Sequence, residues 1–471
     1  MQFNSLEYAC LLLFSMAFCW LLSNKGQWRI YALLLASYLF YASWNLKYLA
    51  LIFLSSSMDY FLGSKLARES RSRYRKLLLG FSLVVNLGIL CTFKYFNFFV
   101  AEITDFLVQV GIRVTRPELN VLLPVGISFY TFQTLSYTID IYRKKLEPAK
   151  SYFNYLLFVS FFPQLVAGPI VRASVLLPQL ARRPKLTVEQ GSVALYRIGI
   201  GLVKKIAIAD FLGAHLVDPV FSNPEMYSSI ETLVAAYAYS FQIYADFSAY
   251  SDIAIGSAAL LGVNIPENFN LPYRSTNLRE FWQRWHISLS TWLRDYLYIP
   301  LGGSRGSRFR TYVNLMITMV LGGLWHGAAT TFLAWGAIHG LCLVGTRIFQ
   351  RARPRAERTT PLLKAIKVLL TFHLVTAAWV FFRSSSFESA FQLFSSIFVF
   401  DLGYVNLSLP VVIVLTVALL THWFPKVWVE RLRSLFVALP APLQAATIVG
   451  AVLAVQQLAQ TEVEPFIYFQ F

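Results

Sequence analysis

The feature that most constrains this chain is a succession of apolar stretches, each close to the about 20 residues that a helix needs to cross a bilayer. They run near 7–23, 29–45, 47–64, 77–94, 122–142, 311–328, 330–349, 362–383, 408–424 and 438–458. Two more, 190–212 and 231–262, are apolar but carry internal polar residues. The stretch 152–170 is interrupted by Pro163, Gly168 and Pro169. It predicts a broken or re-entrant helix, which is tolerated at membrane depth only when buried in protein or lining water. Of the 471 residues 56% are hydrophobic and only 14% charged, against about 25% charged in soluble domains. The expected fold is an all-α polytopic membrane protein with about 10–12 transmembrane helices plus re-entrant or interfacial helices. It reads as a single domain over 1–471, with 263–310 as an interfacial or re-entrant insertion.

The formal net charge is +17. Nucleic acid is not the partner implied, because the charge sits in short loops between apolar runs, the pattern of the positive-inside rule. Residues 65–76 carry Lys65, Arg68, Arg71, Arg73, Arg75 and Lys76 against Glu69. That loop, Arg143-Lys144-Lys145, the run from Arg347 to Arg358 and the loop near Lys25 and Arg29 are expected on the cytoplasmic side, with the N-terminus outside. Membrane lipid is the partner of the apolar surface. The first run, Tyr8 to Leu22, lacks a basic leader and a small-residue cleavage site, so it reads as a retained helix. Cys10, Cys19, Cys91 and Cys342 all lie in apolar runs without a CxxC pair, and read as buried structural thiols rather than a disulfide framework or a zinc site. No internal repeat or low-complexity linker divides the chain.

The least membrane-like region is 263–310, rich in Asn, Arg and Trp. Asn277 can cap a helix, and Glu280 three residues later can complete a capping box. The helix predicted from there through FWQRWHISLSTWLRDYLYIPLGG stops at Pro300 and Gly302-Gly303. Phe281, Trp285, Leu289 and Trp292 form one stripe on it, and Arg284, Ser288 and Asp295 another. An amphipathic Trp/Arg helix of this kind suits a membrane interface.

Two histidines flank this region, His286 in Phe281-Trp282-Gln283-Arg284-Trp285-His286 and His326 in Leu321-Gly322-Gly323-Leu324-Trp325-His326-Gly327. Ionisable groups are rare in membranes and mark functional sites, and imidazole suits proton transfer near neutral pH. His286 borders the aromatic stripe, where desolvation would keep it neutral; the bland alternative is a histidine that only fixes a broken helix through a backbone carbonyl. Gly322, Gly323 and Gly327 around His326 let another helix or a ligand approach closely, and such small neighbours place it toward a cavity rather than lipid. His215, His339, His373 and His422 read as packing or interface residues. A second polar cluster, Gln242 to Asp252, holds Asp246 and Asp252. Six apart, they lie on different helix faces, and each is expected to pair with arginine or to line a substrate path. No HExxH, GxSxG, Walker or Rossmann pattern is present. Without a nucleophile motif, the histidines best support direct group transfer to a hydroxyl activated by imidazole.

The combination FWQRWHISLSTWLRDYLYIPLGG, GGLWHG, QIYADFSAYSDIAIG and LLPVGISFYTFQTLSYTIDIYR resembles the membrane-bound O-acyltransferase superfamily, and within it the bacterial alginate O-acetyltransferase branch. The resemblance covers roughly residues 1–383; the last 90 or so carry no usable motif. It implies tilted helices around a central funnel, with His326 as the principal catalytic residue and His286, the second, upstream histidine, as its catalytic partner, placed to relay protons or hold the donor. Trp282, Arg284, Trp285, Arg294, Asp295, Trp325 and Asp246 are then the candidate substrate-binding residues, with no metal and no bound cofactor. It further implies an inner-membrane enzyme that passes acetyl groups from a cytoplasmic donor, acetyl-CoA, toward an exported polysaccharide such as alginate or bacterial cellulose. A periplasmic acetyltransferase partner and the polysaccharide machinery would complete the reaction. D-alanyl or peptidoglycan acyl transfer, a proton-coupled transporter using Asp246, His286 and His326, and a scaffold for a polysaccharide synthase are the alternatives.

Overall fold

A computed structural model describes residues 1–166, 168–352, 360–459 and Phe466. Arg353, Arg355 and Arg358 of the basic run lie outside these residues. Every regular element among the described residues is a helix, as expected where backbone donors must be satisfied within one segment. The protein is an all-α polytopic membrane protein. By length and composition, Ser72–Gln109, Thr330–Gln350 and Pro361–Arg383 can each cross a bilayer. Leu409–Trp423 and Lys426–Ala438 are apolar enough together to span but are bent by 101° at their junction, where Pro425 removes a backbone donor; this is the geometry of a broken span or a re-entrant loop. Leu6–Leu21 and Ala441–Gln457 are apolar but shorter. The other expected spans are shorter, interrupted or polar within.

The chain divides into two compact units, one of Met1–Gly191 with Ala254–Pro266, the other of Ser192–Ile253 with Glu267–Phe471. In the first, long helices run Leu6–Leu21, Gln27–Ala42, Leu46–Arg68, Ser72–Leu90 and Ile127–Tyr142. The last starts later than its apolar run because Gly126 adopts φ +74°, and a Cβ there would lie 2.7 Å from the Leu165 carbonyl oxygen. Inside this unit Asp59 is fully buried and accepts hydrogen bonds from Ser82 (2.6 Å), Asn86 (2.8 Å) and Thr138 (3.4 Å). The predicted break in 152–170 is present. Helix Tyr152–Ser160 stops, Phe161 is non-helical, and Phe162–Leu165 follows. Side chains take over the interrupted ladder: Ser37 Oγ accepts from the Phe162 N–H (3.2 Å), and the Gln164 amide donates to the Phe158 carbonyl (2.8 Å).

The four thiols are free, but only Cys19 is fully buried; Cys10 and Cys91 are exposed. Their apolar runs turn these positions outward, so the expectation of four buried thiols fails for them.

In the second unit, helical residues 192–203 lead into wide π-turns at Lys204–Asp210 and Gly213–Val217, followed by helical residues 229–253. After an irregular stretch come Arg308–His326 and Thr330–Ala352, the most intimately paired helices of the molecule. Glycine sets their separation. A Cβ on Gly323 would lie 2.2 Å from the Phe332 carbonyl oxygen, and one on Gly336 2.4 Å from that of Met319.

Candidate active site

The site grows from the short helices of the 263–310 region, all within the second unit. Asn277 caps as expected, its side chain accepting from the Glu280 N–H at 3.0 Å. Glu280 does not close a box on Asn277. It reaches one residue further back, accepting from the Thr276 N–H (2.9 Å) and hydroxyl (2.8 Å), while Arg284 clasps it at 2.9 Å. Burial pushes the Glu280 carboxyl up, but these donors together outweigh it and hold it below the usual value.

The helix predicted to run on toward Pro300 stops at Arg284. Trp285 is extended, His286 takes the left-handed conformation (φ 41°, ψ 57°), and helix resumes at Ile287–Leu293. Asn268 makes the break affordable. Its carbonyl accepts from the Ile287 N–H (2.9 Å), and its side-chain oxygen accepts from the Ser288 N–H (3.1 Å) and hydroxyl (2.9 Å). Local sequence does not reveal this, because the cap comes from a distant loop. A non-glycine residue held left-handed costs on the order of 1–3 kcal/mol and clusters at functional sites. The predicted stripe still faces inward, with Phe281, Trp285 and Leu289 fully buried and Trp292 nearly so. Neither helix is long enough to span.

The structure brings both histidines against one indole. Trp325 lies 6.0 Å from the His286 ring and 5.1 Å from the His326 ring, centroid to centroid. His326 is also edge-on to Trp335 (5.0 Å) and Phe382 (5.3 Å). His286 packs against Phe247 at 4.6 Å and is completely buried. Burial lowers its pKa to about 3, so it is neutral at working pH and a weak base. The glycines beside His326, expected to let another helix or a ligand approach closely, admit neighbouring structure: Gly323 the backbone of the 330–352 helix, Gly327 the Phe332 ring, where a Cβ would lie 2.0 Å away, and Gly322 the end of Leu293.

The remaining candidates separate. Trp282 lines a cavity of about 640 Å³ together with Arg279, Gln283, Arg294, Tyr298 and Arg347, and its ring contacts Trp335 (5.7 Å) and His339 (5.3 Å). Arg294 is on the cavity wall and ion-paired with Asp295 at 2.7 Å. Arg284 faces two other surface grooves. Trp285 packs on Phe281 (5.6 Å) and Trp379 (5.0 Å). Asp246 is buried and paired with Lys205 at 2.8 Å, and the same ammonium binds Asp210 at 2.6 Å. Asp252 pairs with Arg197 (2.9 Å) and Lys204 (2.7 Å). Lysine thus replaces the expected arginine at Asp246 and joins arginine at Asp252.

Sequence reasoning missed Lys205, Arg279, Arg347, Trp335 and His339. The one available signal was Trp335 and His339 at i, i+4, which share a helix face. His373 accepts from the Tyr237 hydroxyl (2.8 Å) and donates to the Leu369 carbonyl (2.8 Å), and His215 bonds the Phe211 carbonyl. Among the described residues, no group of three His, Cys, Asp or Glu could hold a metal ion.

A profile of the membrane-bound O-acyltransferase family matches residues 38–387. The chain is 42% identical over 397 residues to the "Probable alginate O-acetylase AlgI" of Pseudomonas aeruginosa, covering 83% of this chain and 74% of that protein. It is 38% identical over 490 residues to the protein of that name from Pseudomonas putida, covering 98% of each. With the "Peptidoglycan O-acetyltransferase" of Helicobacter pylori it shares 39% over 387 residues, covering 77% and 72%. A buried histidine pair about one indole, beside an arginine-lined cavity, sits within the matched region, and the chain belongs to the membrane-bound O-acyltransferase family as a multi-pass membrane enzyme, an O-acyltransferase.

Proposed function

We propose that this enzyme takes acetyl groups from a thioester donor, acetyl-CoA, on the cytoplasmic side of the inner membrane and passes them outward for O-acetylation of an exported polysaccharide. Alginate or bacterial cellulose is the acceptor class proposed; the names of the Pseudomonas relatives support alginate, and peptidoglycan, favoured by the Helicobacter relative, is the alternative. The observation that carries the reading is the 640 Å³ cavity. Arg279, Arg294 and Arg347 line it, no Asp or Glu among the described residues does, and its wall residue Trp282 touches Trp335, which touches His326. Guanidinium groups recognise phosphate oxygens well, and Arg347 opens the basic run assigned to the cytoplasm. A phosphate-bearing head would sit among the arginines with its thioester end directed toward the histidines.

In this reading His326 is the base. Its imidazole takes the proton of the acceptor hydroxyl as that oxygen attacks the acyl carbonyl; the new C–O bond forms, the C–S bond breaks, and the proton passes to the departing thiolate. His286, buried and packed 6.0 Å from the same Trp325 ring that His326 touches, is the partner of His326 in this reading. Trp285 and Trp325 shape the apolar surround, while Arg284, Asp295 and Asp246 hold their own helices through ion pairs. A periplasmic acetyltransferase and the polysaccharide machinery would receive the acetyl group. The test is His326→Ala in full-length protein, with its membrane level checked. Labelled acetyl transfer from acetyl-CoA should fall at least a hundredfold (of the order seen when general acid–base groups are removed); polymer acetylation retained at normal protein level would overturn the assignment.

A further inference from the structure

A surface groove of about 530 Å³ lies where the start of helix Pro361–Arg383, the end of Leu409–Trp423 and the segment 270–284 meet, all within the second unit. Arg274, Arg284, Lys364 and Lys426 line it against one acid, Glu280. Arg284 already holds that acid, at 2.9 Å. Among the described residues no acid pairs with Arg274, Lys364 or Lys426, and the buried Nε of Arg274 has no hydrogen-bond partner. Three unpaired cations facing one groove repel one another, and a buried donor left unsatisfied calls for an explanation. An anion seated among them answers both.

The position of the groove says which anion. Helix Pro361–Arg383 is long and apolar enough to cross a bilayer, and Lys364 stands in its first turn. The basic run that begins at Arg347 precedes this helix in the chain, and its charge assigns this end to the cytoplasmic surface. Trp423 and Trp428 flank the 101° bend beside Lys426 with 47% and 54% of their surface exposed, and tryptophan concentrates at the membrane–water interface. Leu271, Val368 and Trp423 add an apolar wall next to the cations. A phosphate carried on a hydrophobic body suits both parts. Its oxygens accept charge-assisted bonds from the guanidinium and the two ammonium groups, and its carbon lies on the apolar wall. Basic pockets between membrane helices on the cytoplasmic side take such head groups. A choline or ethanolamine head would add a positive charge to three that are unpaired, so the groove selects a lipid of net negative charge. We propose that Arg274, Lys364 and Lys426 bind the phosphate of an anionic phospholipid head group. The lipid would pin the segment 270–284, which leads into His286, to helices 361–383 and 409–423. This holds whatever the acyl donor is.

The test uses full-length protein in micelles of an uncharged detergent. Dioleoyl-phosphatidylglycerol is titrated in and the thermal midpoint is followed, since a ligand of the folded state raises it as the site fills. Dioleoyl-phosphatidylcholine, inorganic phosphate and acetyl-CoA are the comparison probes. Phosphatidylglycerol should raise the midpoint and phosphatidylcholine should not. Lys364→Gln and Lys426→Gln should each raise the half-saturating lipid fraction about fivefold, the effect of one cation beside an anionic lipid, and the double variant roughly twenty-five-fold. Lys367→Gln, on the same helix as Lys364 but outside the groove lining, should respond as the wild type does. An equal response to phosphatidylcholine, or unchanged titrations in the lysine variants, overturns the proposal. So does a Lys367→Gln protein weakened as much as Lys364→Gln, which would reveal a general surface attraction. Equal stabilisation by inorganic phosphate would overturn the lipid in favour of a free anion, and abolition of the lipid shift by saturating acetyl-CoA would give the groove to the donor. Should the double variant fail to fold, the two single variants decide the matter in the same way.

Discussion

Adjacent glycines before His326 should respond oppositely to the same substitution. In Gly323→Ala the new methyl would lie 2.2 Å from the Phe332 carbonyl oxygen and 3.2 Å from the Gly336 backbone, whereas side-chain carbons essentially never approach closer than 3.0 Å. The obstacle is main chain and has no rotamer to escape into, so the helices 308–326 and 330–352 must part by at least the missing 0.8 Å, from 2.2 to 3.0 Å. Overpacking of this kind costs about 1–3 kcal/mol, and the better helix propensity of alanine returns up to about 1 kcal/mol. With the full return, the net loss is up to about 2 kcal/mol. The displaced helix carries Trp335, whose ring rests 5.0 Å from His326. Since a misplacement of about 1 Å can cost roughly a hundredfold in rate, acyl transfer should fall by about tenfold or more. In Gly322→Ala the methyl meets only the tip of Leu293, at 3.2 Å. That side chain can yield, so stability and activity should stay near wild type. Thermal unfolding followed by tryptophan fluorescence in detergent, with labelled acyl transfer on the same preparations, measures both effects. Equal damage from the two substitutions, or a Gly323→Ala protein indistinguishable from wild type, would refute the helix-contact argument.

Lys205→Met should be among the most destabilising single changes, by about 3–5 kcal/mol, because it strips the ammonium from two buried carboxylates; Asp210 and Asp246 lie 2.6 and 2.8 Å from it. Neutralising both acids in the same variant (Asp210→Asn with Asp246→Asn) should recover much of the loss, and a thermal scan showing no loss in Lys205→Met would contradict the pairing. His286 predicts a pH effect with a definite sign. Burial lowers its pKa from 6.5 to about 3, so between those values the unfolded chain holds the extra proton. Its contribution to stability is therefore complete above pH 6.5 and is lost as pH falls toward 3. His286→Gln should flatten the slope of thermal midpoint against pH in that window, and an unchanged slope would show that the ring is hydrated.

Much of the architecture was legible from the chain because it depends on local periodicity. Length and hydropathy marked the helices, Pro163 and its neighbours marked the broken segment, and Asn277 marked a helix start that the structure retains. The stripe Phe281, Trp285, Leu289 and Trp292 was legible as one face of an amphipathic, interface-type helix, and the structure buries that face within the protein even though the helix carrying it is broken. The break itself was not legible. The conformation of His286 depends on Asn268, whose hydrogen bonds to Ile287 and Ser288 exist only once two separate segments meet.

By itself the sequence determined that the chain is helical, lives in a membrane and carries two histidines in aromatic, weakly charged surroundings, since these follow from backbone hydrogen bonding in lipid and from side-chain spacing. Tertiary structure decided what surrounds those histidines. Tertiary contacts set both imidazoles against Trp325, packed Trp335 against His326, and gave the glycines to close helix approach. Pairing of Asp246 with Lys205 was likewise settled only by folding. A residue's chemistry is written in its side chain, but its pKa, partners and access depend on neighbours that one-dimensional spacing does not encode.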